Sequence, residues 1–143
     1  MAVRVAVTVT LDDQQIREML TGSTGPVYRA VQRGTGRGRD YAKLNLTVAG
    51  LIDTGQLRNQ IESGITVRGQ DLVGRVTSHA RHTMYVHDGT DGPILPRRAR
   101  ALRFTVRGQG VVYAASVRGT KETGRYTPFL ADALKQLSIG DFL

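Results

Sequence analysis

A chain of 143 residues, 40% of them apolar, is the length of one domain with one core. It has no cysteine and no tryptophan, which excludes disulfides and thiol catalysis and leaves Val, Leu, Ile and Ala to build that core. The net charge of +8 points to an anionic partner: nucleic acid, an anionic surface or an acidic protein.

Arginine supplies 17 of the 20 basic residues. A GC-rich genome would explain arginine over lysine, but not the excess over acid. The opening MAVRVAVTVT is too short and too interrupted by Arg4 for a signal peptide. No apolar run approaches the ~20 residues of a membrane helix, so the expectation is a soluble intracellular product.

Val3, Val5, Val7 and Val9 alternate with smaller or polar residues, the period of a half-buried strand over 3–11. Asp12 then caps a short helix, DQQIREML, closed near Gly22. Ser23 or Thr24 caps a second helix with Pro26 in its first turn. The three glycines of RGTGRGR (33–39) break it, and a helix resumes from residue 40 to Ile52. Asp53-Thr54-Gly55 ends that helix or caps GQLRNQI. ITVRG, DLVGRVTS and HTMYVHDG read as strands joined by glycine turns. RALRFTVR (100–107) and Val111–Val117 form a hairpin across Gly108-Gln109-Gly110. Thr127 caps the last helix, Pro128 is its first residue, and Leu130, Ala133, Leu134 and Leu137 form its apolar stripe. The expected class is α+β: a single domain over 1–143, an antiparallel β-sheet with helices packed on one face, plus an extended loop or arm.

The chemistry is sparse. His79, His82 and His87, with Asp88, are the residues a metal site or a hydrolase would draw on. In a strand 79 and 82 face opposite ways, no acid sits between them as in HExxH, and no cysteine helps. No GxSxG elbow surrounds Ser63, Ser78, Ser116 or Ser138, and Asp12-Asp13 is explained by helix capping. No catalytic residue, metal ligand or cofactor is assigned. GTGRGRD (34–40) lacks the lysine and hydroxyl of a P-loop. Its glycines still allow close approach, and Arg33, Arg37 and Arg39 could neutralise nucleic-acid phosphates; the alternative is a mobile, solvated loop. RRARALRFTVR adds Arg97, Arg98 and Arg100 as DNA-backbone contacts. In a strand Arg98 and Arg100 face one way, and Arg97, Arg103 and Arg107 the other. Phe104 is its lone aromatic, so base stacking is not expected.

The order of segments carries more. DTGQLRNQI (53–61) is followed by two strands, HTMYVHDGT (82–90), ILPRRARALRF (94–104), VVYAASVRGT (111–120) and YTPFLADAL (126–134). Over residues 40–137 this series resembles the neck, or tail-completion, family of long-tailed bacteriophages, often labelled a minor tail component of the head–tail connector. Asn59-Gln60, His87-Asp88 and Arg118-Gly119 depart from that family's pattern. The resemblance implies a non-enzymatic virion protein, assembled in the bacterial cytoplasm without a membrane. It also implies a homo-oligomeric ring of about six subunits, whose head-to-tail contacts join two different patches of one chain. Neighbouring head-closure or adaptor and tail terminator or tail-tube proteins would be partners, with genomic DNA in the lumen. A tail terminator, a head-closure (stopper) protein and a small basic nonspecific DNA-binding protein are the alternatives. YVHDGTDGPILPRR supplies an arm for such contacts: glycines turn it, prolines stiffen it, and two apolar residues anchor it. The expected subunit-interface arm is His87, Asp88, Gly89, Thr90, Asp91, Gly92, Pro93, Ile94, Leu95 and Pro96.

Overall fold

The computed structural model describes residues 12–52 and 54–143; the strand expected over 3–11 lies outside them. Helix α1 (Asp13–Thr21) starts where expected, because Asp12 Oδ1 accepts the backbone N–H groups of Gln14 at 2.9 Å and Gln15 at 3.3 Å. The next helix, α2 (Pro26–Val48), is capped by Gly25 rather than Ser23 or Thr24, with no side-chain bond. Pro26 sits at its start, where a missing N–H costs nothing.

The expected break at RGTGRGR is not there: α2 runs through it for 23 residues. The reason is packing. Gly34, Gly38, Ala42 and Leu46 are buried at four-residue spacing, one stripe of a helix. A β-carbon at Gly34 would fall inside contact distance of three ring atoms of Phe142, and one at Gly38 would meet Leu137 and Val76 at 3.4 Å. These glycines therefore admit other side chains to the helix backbone, and that contact offsets their propensity cost of ~1 kcal/mol each. Thr35, also buried, bonds to Val31 O at 2.6 Å and fills the space above Gly74, where a β-carbon would coincide with its hydroxyl.

A short helix, α3 (Gln56–Asn59), leads into β1 (Ile61–Arg68) and β2 (Asp71–Ser78). These pair antiparallel, from Ile61 opposite Ser78 to Arg68 opposite Asp71. Gly69, at φ +60, makes the two-residue turn. Helix α2 packs on both strands, and α6 (Phe129–Gln136) packs on α2. The core is Ala42, Leu46, Leu57, Ile61, Ala80, Phe129 and Ala133, bordered by Tyr41, Val76, Val86 and Leu130. The chain is thus α+β with antiparallel strands, in two separate two-stranded ladders. No helix among the described residues is long and apolar enough to cross a membrane.

HTMYVHDG is helical rather than extended: α4 spans Thr83–His87. Thr83 turns the chain by donating its hydroxyl and its N–H to Ala80 O at 2.7 and 3.0 Å. Met84 and Val86 would share a face in a strand. Here Val86 packs on the core and Met84 is exposed. In α6 the first helical residue is Phe129, with Pro128 as cap. Thr127 gives its N–H to Val86 O at 2.8 Å, tying α6 to α4, and provides no side-chain cap. The apolar stripe is rotated toward Phe129, the largest fully buried side chain, so Leu134 faces outward. The tail ends in a 3₁₀ turn (Ile139–Asp141) held by a capping box, in which Asp141 Oδ2 accepts Ser138 N–H at 2.8 Å and Ser138 Oγ–H at 3.0 Å. Tyr41 donates to the other carboxylate oxygen at 3.0 Å, which brings Phe142 over Gly34.

Candidate functional site

The second ladder lies at the end of a long excursion from the body. Its strands are β3 (Leu102–Val106) and β4 (Gly110–Ala114), shorter than the expected 100–107 and 111–117, and they turn at Arg107-Gly108-Gln109 with Gly108 at φ +84. Arg97, Arg98 and Arg100 lie in a bent segment before β3, so the strand alternation expected for them does not hold.

The root of the excursion is clamped. Ile94 and Val117 exchange backbone hydrogen bonds at 2.7 and 3.0 Å. One step nearer the body, Thr90 N–H donates to Thr120 Oγ1 at 2.7 Å, and Thr120 N–H donates to Thr90 Oγ1 at 2.8 Å. Asp91 pairs with Lys121 at 2.9 Å, and this hydrogen bond holds the Lys121 ammonium above its ordinary value. Gly119 is buried against the carbonyls of Thr90 and Gly92, where a β-carbon would collide with both. Helix α5 (Thr120–Thr123) follows directly.

His87 belongs to this docked part. Its Nε2 accepts the backbone N–H of Ala131 at 3.4 Å, which places the proton on Nδ1, 2.7 Å from Asp88 Oδ1. The ring stands edge-on to Phe129 with centroids 5.4 Å apart. Both nitrogens are therefore taken by protein groups, and the imidazole joins α4 to α6. His79 lies at the end of β2, 3.5 Å from Glu62, and His82 begins α4. Among the described residues no group of three or more such side chains is placed to hold a metal ion.

The structure thus divides the expected arm. His87 joins α4 to α6, residues 88–94 lie against or beside the 117–121 segment, and only Leu95 and Pro96 begin the excursion. What projects is 95–116. Beyond marginal contact, β3 and β4 pack on no other element. Register puts Leu102, Phe104, Val106, Val112 and Ala114 on one face, wholly apolar, and Arg103, Thr105, Val111 and Tyr113 on the other. Tyr113 is 66% exposed and Leu95 60%. A groove of about 850 Å³ at the root is lined by Tyr85, Ile94, Leu95, Pro96 and Leu102 among others.

The arginines divide in the same way. On α2, Arg33 donates to Phe142 O at 3.0 Å, Arg39 pairs with Asp40 at 2.9 Å, and Arg37 lies near enough to Asp141 to help lower its carboxyl. On the excursion Arg97, Arg98, Arg100, Arg103 and Arg107 are all exposed, and none of their side chains bonds or pairs with another described residue. Residues 92–121 contain no Asp or Glu. That run is the signal in the sequence that marks Arg103, Arg107 and Tyr113 as a group. No protein-family model, curated protein or solved structure matches the chain.

Proposed function

We propose that this chain is a structural virion protein of a long-tailed bacteriophage, forming a ring in the neck between capsid connector and tail. Each subunit contributes its 95–116 hairpin to the next copy. The observation that carries this reading is a hairpin fixed at its root whose apolar face, Leu102, Phe104, Val106, Val112 and Ala114, packs on no other element among the described residues beyond marginal contact. A lone two-stranded hairpin is marginal in water. The area supports a protein occupant. The chain exposes 11228 Å², where a compact monomer of its mass exposes about 7,200 Å². Granting full extended-chain area to residues 1–11 and 53 still leaves an excess of about 2,500 Å², enough for a standard interface of ~1,600 Å². A hairpin that lands on a different patch of the next copy makes a heterologous contact, and such contacts close into a ring where the rotation between copies divides a full turn. The resemblance of the segment series to the neck family supports this occupant, a ring of about six copies, and flanking head-closure and tail proteins as further partners. The chain acts by contact, with no substrate turned over.

The test is native mass measurement and phage complementation. The full chain is expected to form a closed oligomer, alone or on its neighbouring connector protein. A variant lacking residues 97–115, with Pro96 joined to Ser116 by a short Gly-Ser link, is expected to stay folded, remain monomeric and leave heads and tails unjoined. If the truncated chain still forms the ring and completes infectious particles, the proposal is wrong.

A further inference from the structure

We infer that the same excursion binds the phosphate backbone of duplex nucleic acid through the arginines of its bent segment, strand and turn, without reading sequence. This goes beyond the assembly reading, because it follows from the charge of the excursion whether or not a ring forms. The excursion carries Arg97, Arg98, Arg100, Arg103 and Arg107 and no carboxylate, while the arginines of α2 are engaged by the chain's own carbonyls and acids.

Three features select the ligand. All five charges are arginine, whose planar fork meets a phosphate with two parallel hydrogen bonds where lysine offers a point charge. Arg103 stands directly across from Tyr113 on the non-apolar face, so an exposed phenol that can donate to phosphate lies beside a guanidinium. Finally, a two-stranded ribbon is narrow enough to follow the major groove of B-form DNA, about 12 Å wide. The strands offer no Asn, Gln, Asp or Glu between Leu102 and Val106 or between Gly110 and Ala114 to pair with adenine or cytosine edges; with its arginines on phosphates, the excursion positions on the backbone and does not discriminate among sequences.

The probe is a fluorescent random-sequence duplex of about 30 base pairs, titrated with the full chain between about 50 and 200 mM salt. Native mass is recorded on the same samples. The wild type is expected to bind with a slope of log K against log salt of about −4.5, from about five phosphate contacts. R103Q/R107Q should reduce that slope by about 2 and weaken binding alike on unrelated sequences. R103K/R107K should restore the slope, and R58Q/R68Q, outside the excursion, should leave it unchanged. Equal melting temperatures of the variants exclude misfolding as the cause. The inference is overturned if R103Q/R107Q binds as the wild type does. It is equally overturned if R58Q/R68Q weakens binding as much, or if the chain ignores the duplex but is retained by polyglutamate or by anionic phospholipid vesicles. A ring that does not bind the duplex defeats this inference and leaves the assembly reading standing; a chain that binds it and never oligomerises does the reverse.

Discussion

Alanine at three glycines of one helix separates a packed helix from a solvated loop. Gly34, Gly36 and Gly38 lie within two turns of α2, and in a helix interior each Gly→Ala change stabilises by ~1 kcal/mol before any contact is counted. At Gly36 a new methyl meets nothing within 4 Å, so Gly36→Ala should keep that ~1 kcal/mol. At Gly38 the methyl reaches ordinary contact with Leu137 and Val76 at 3.4 Å, and its burial adds up to ~0.8 kcal/mol. At Gly34 it collides with the Phe142 ring. Displacing that half-buried ring forfeits about 1–1.5 kcal/mol, and the Arg33 bond to Phe142 O goes with it, at about 0.5–1.5 kcal/mol. Gly34→Ala should therefore be neutral or destabilising, about 2 kcal/mol below Gly36→Ala. Thermal unfolding followed by circular dichroism would show this as melting temperatures about 6 °C apart. Phe142→Ala should release the conflict, so that Gly34→Ala in that background regains ~1 kcal/mol. Equal effects at all three positions, or a stabilising Gly34→Ala in the wild-type background, would refute the packing of the tail on a continuous α2.

Two further outcomes test the root and the tail. Thr90→Val leaves the half-buried Thr120 N–H unbonded, at about 1–3 kcal/mol. Limited proteolysis should then cut 95–116 several-fold faster while the core melts nearly as before; an unchanged cleavage rate would show that the threonine pair does not hold the root. The carboxyl of Asp141 is held below its usual range, first by the Ser138 N–H and also by the Tyr41 and Ser138 hydroxyls. The folded state therefore gains from its ionisation above the ordinary carboxylate range, and that contribution is lost as pH falls through the depressed folded value. The same hydrogen bond raises the Tyr41 phenol, so Asp141→Ala should bring one tyrosine's ultraviolet titration back down.

Elements whose signal is local were legible. Asp12 announces α1 because a cap needs only its next three residues, and the strands around Gly69 and Gly108 follow from alternation and a turn. Failures came where a distant partner decides. RGTGRGR reads as a breaker because propensity sees three glycines; what keeps it helical is Phe142, more than a hundred residues away in sequence. Met84 and Val86 read as a strand because alternation cannot show that no neighbouring strand exists. The expected arm, His87 to Pro96, does not project as a unit. Gly89 and Gly92 do turn the chain, at φ +77 and +66, yet the turn they make carries it onto Thr120 and away from solvent.

The prolines explain why the projecting part starts at 95. A strand residue without an N–H ends a ladder, and Pro93 and Pro96 flank Ile94 on both sides. Between the Thr90–Thr120 clamp and the β3–β4 ladder, pairing of the outgoing and returning chains is thereby confined to the single Ile94–Val117 bridge. Without those prolines the β3–β4 ladder could extend toward Thr90 and Thr120, drawing the hairpin onto the body. With them, the hairpin is held by a short hinge region and its two unlike faces stay available. One of those faces is apolar and the other carries Arg103 and Tyr113, so the proposed subunit contact and the proposed phosphate contact draw on different residues and can be tested by separate substitutions.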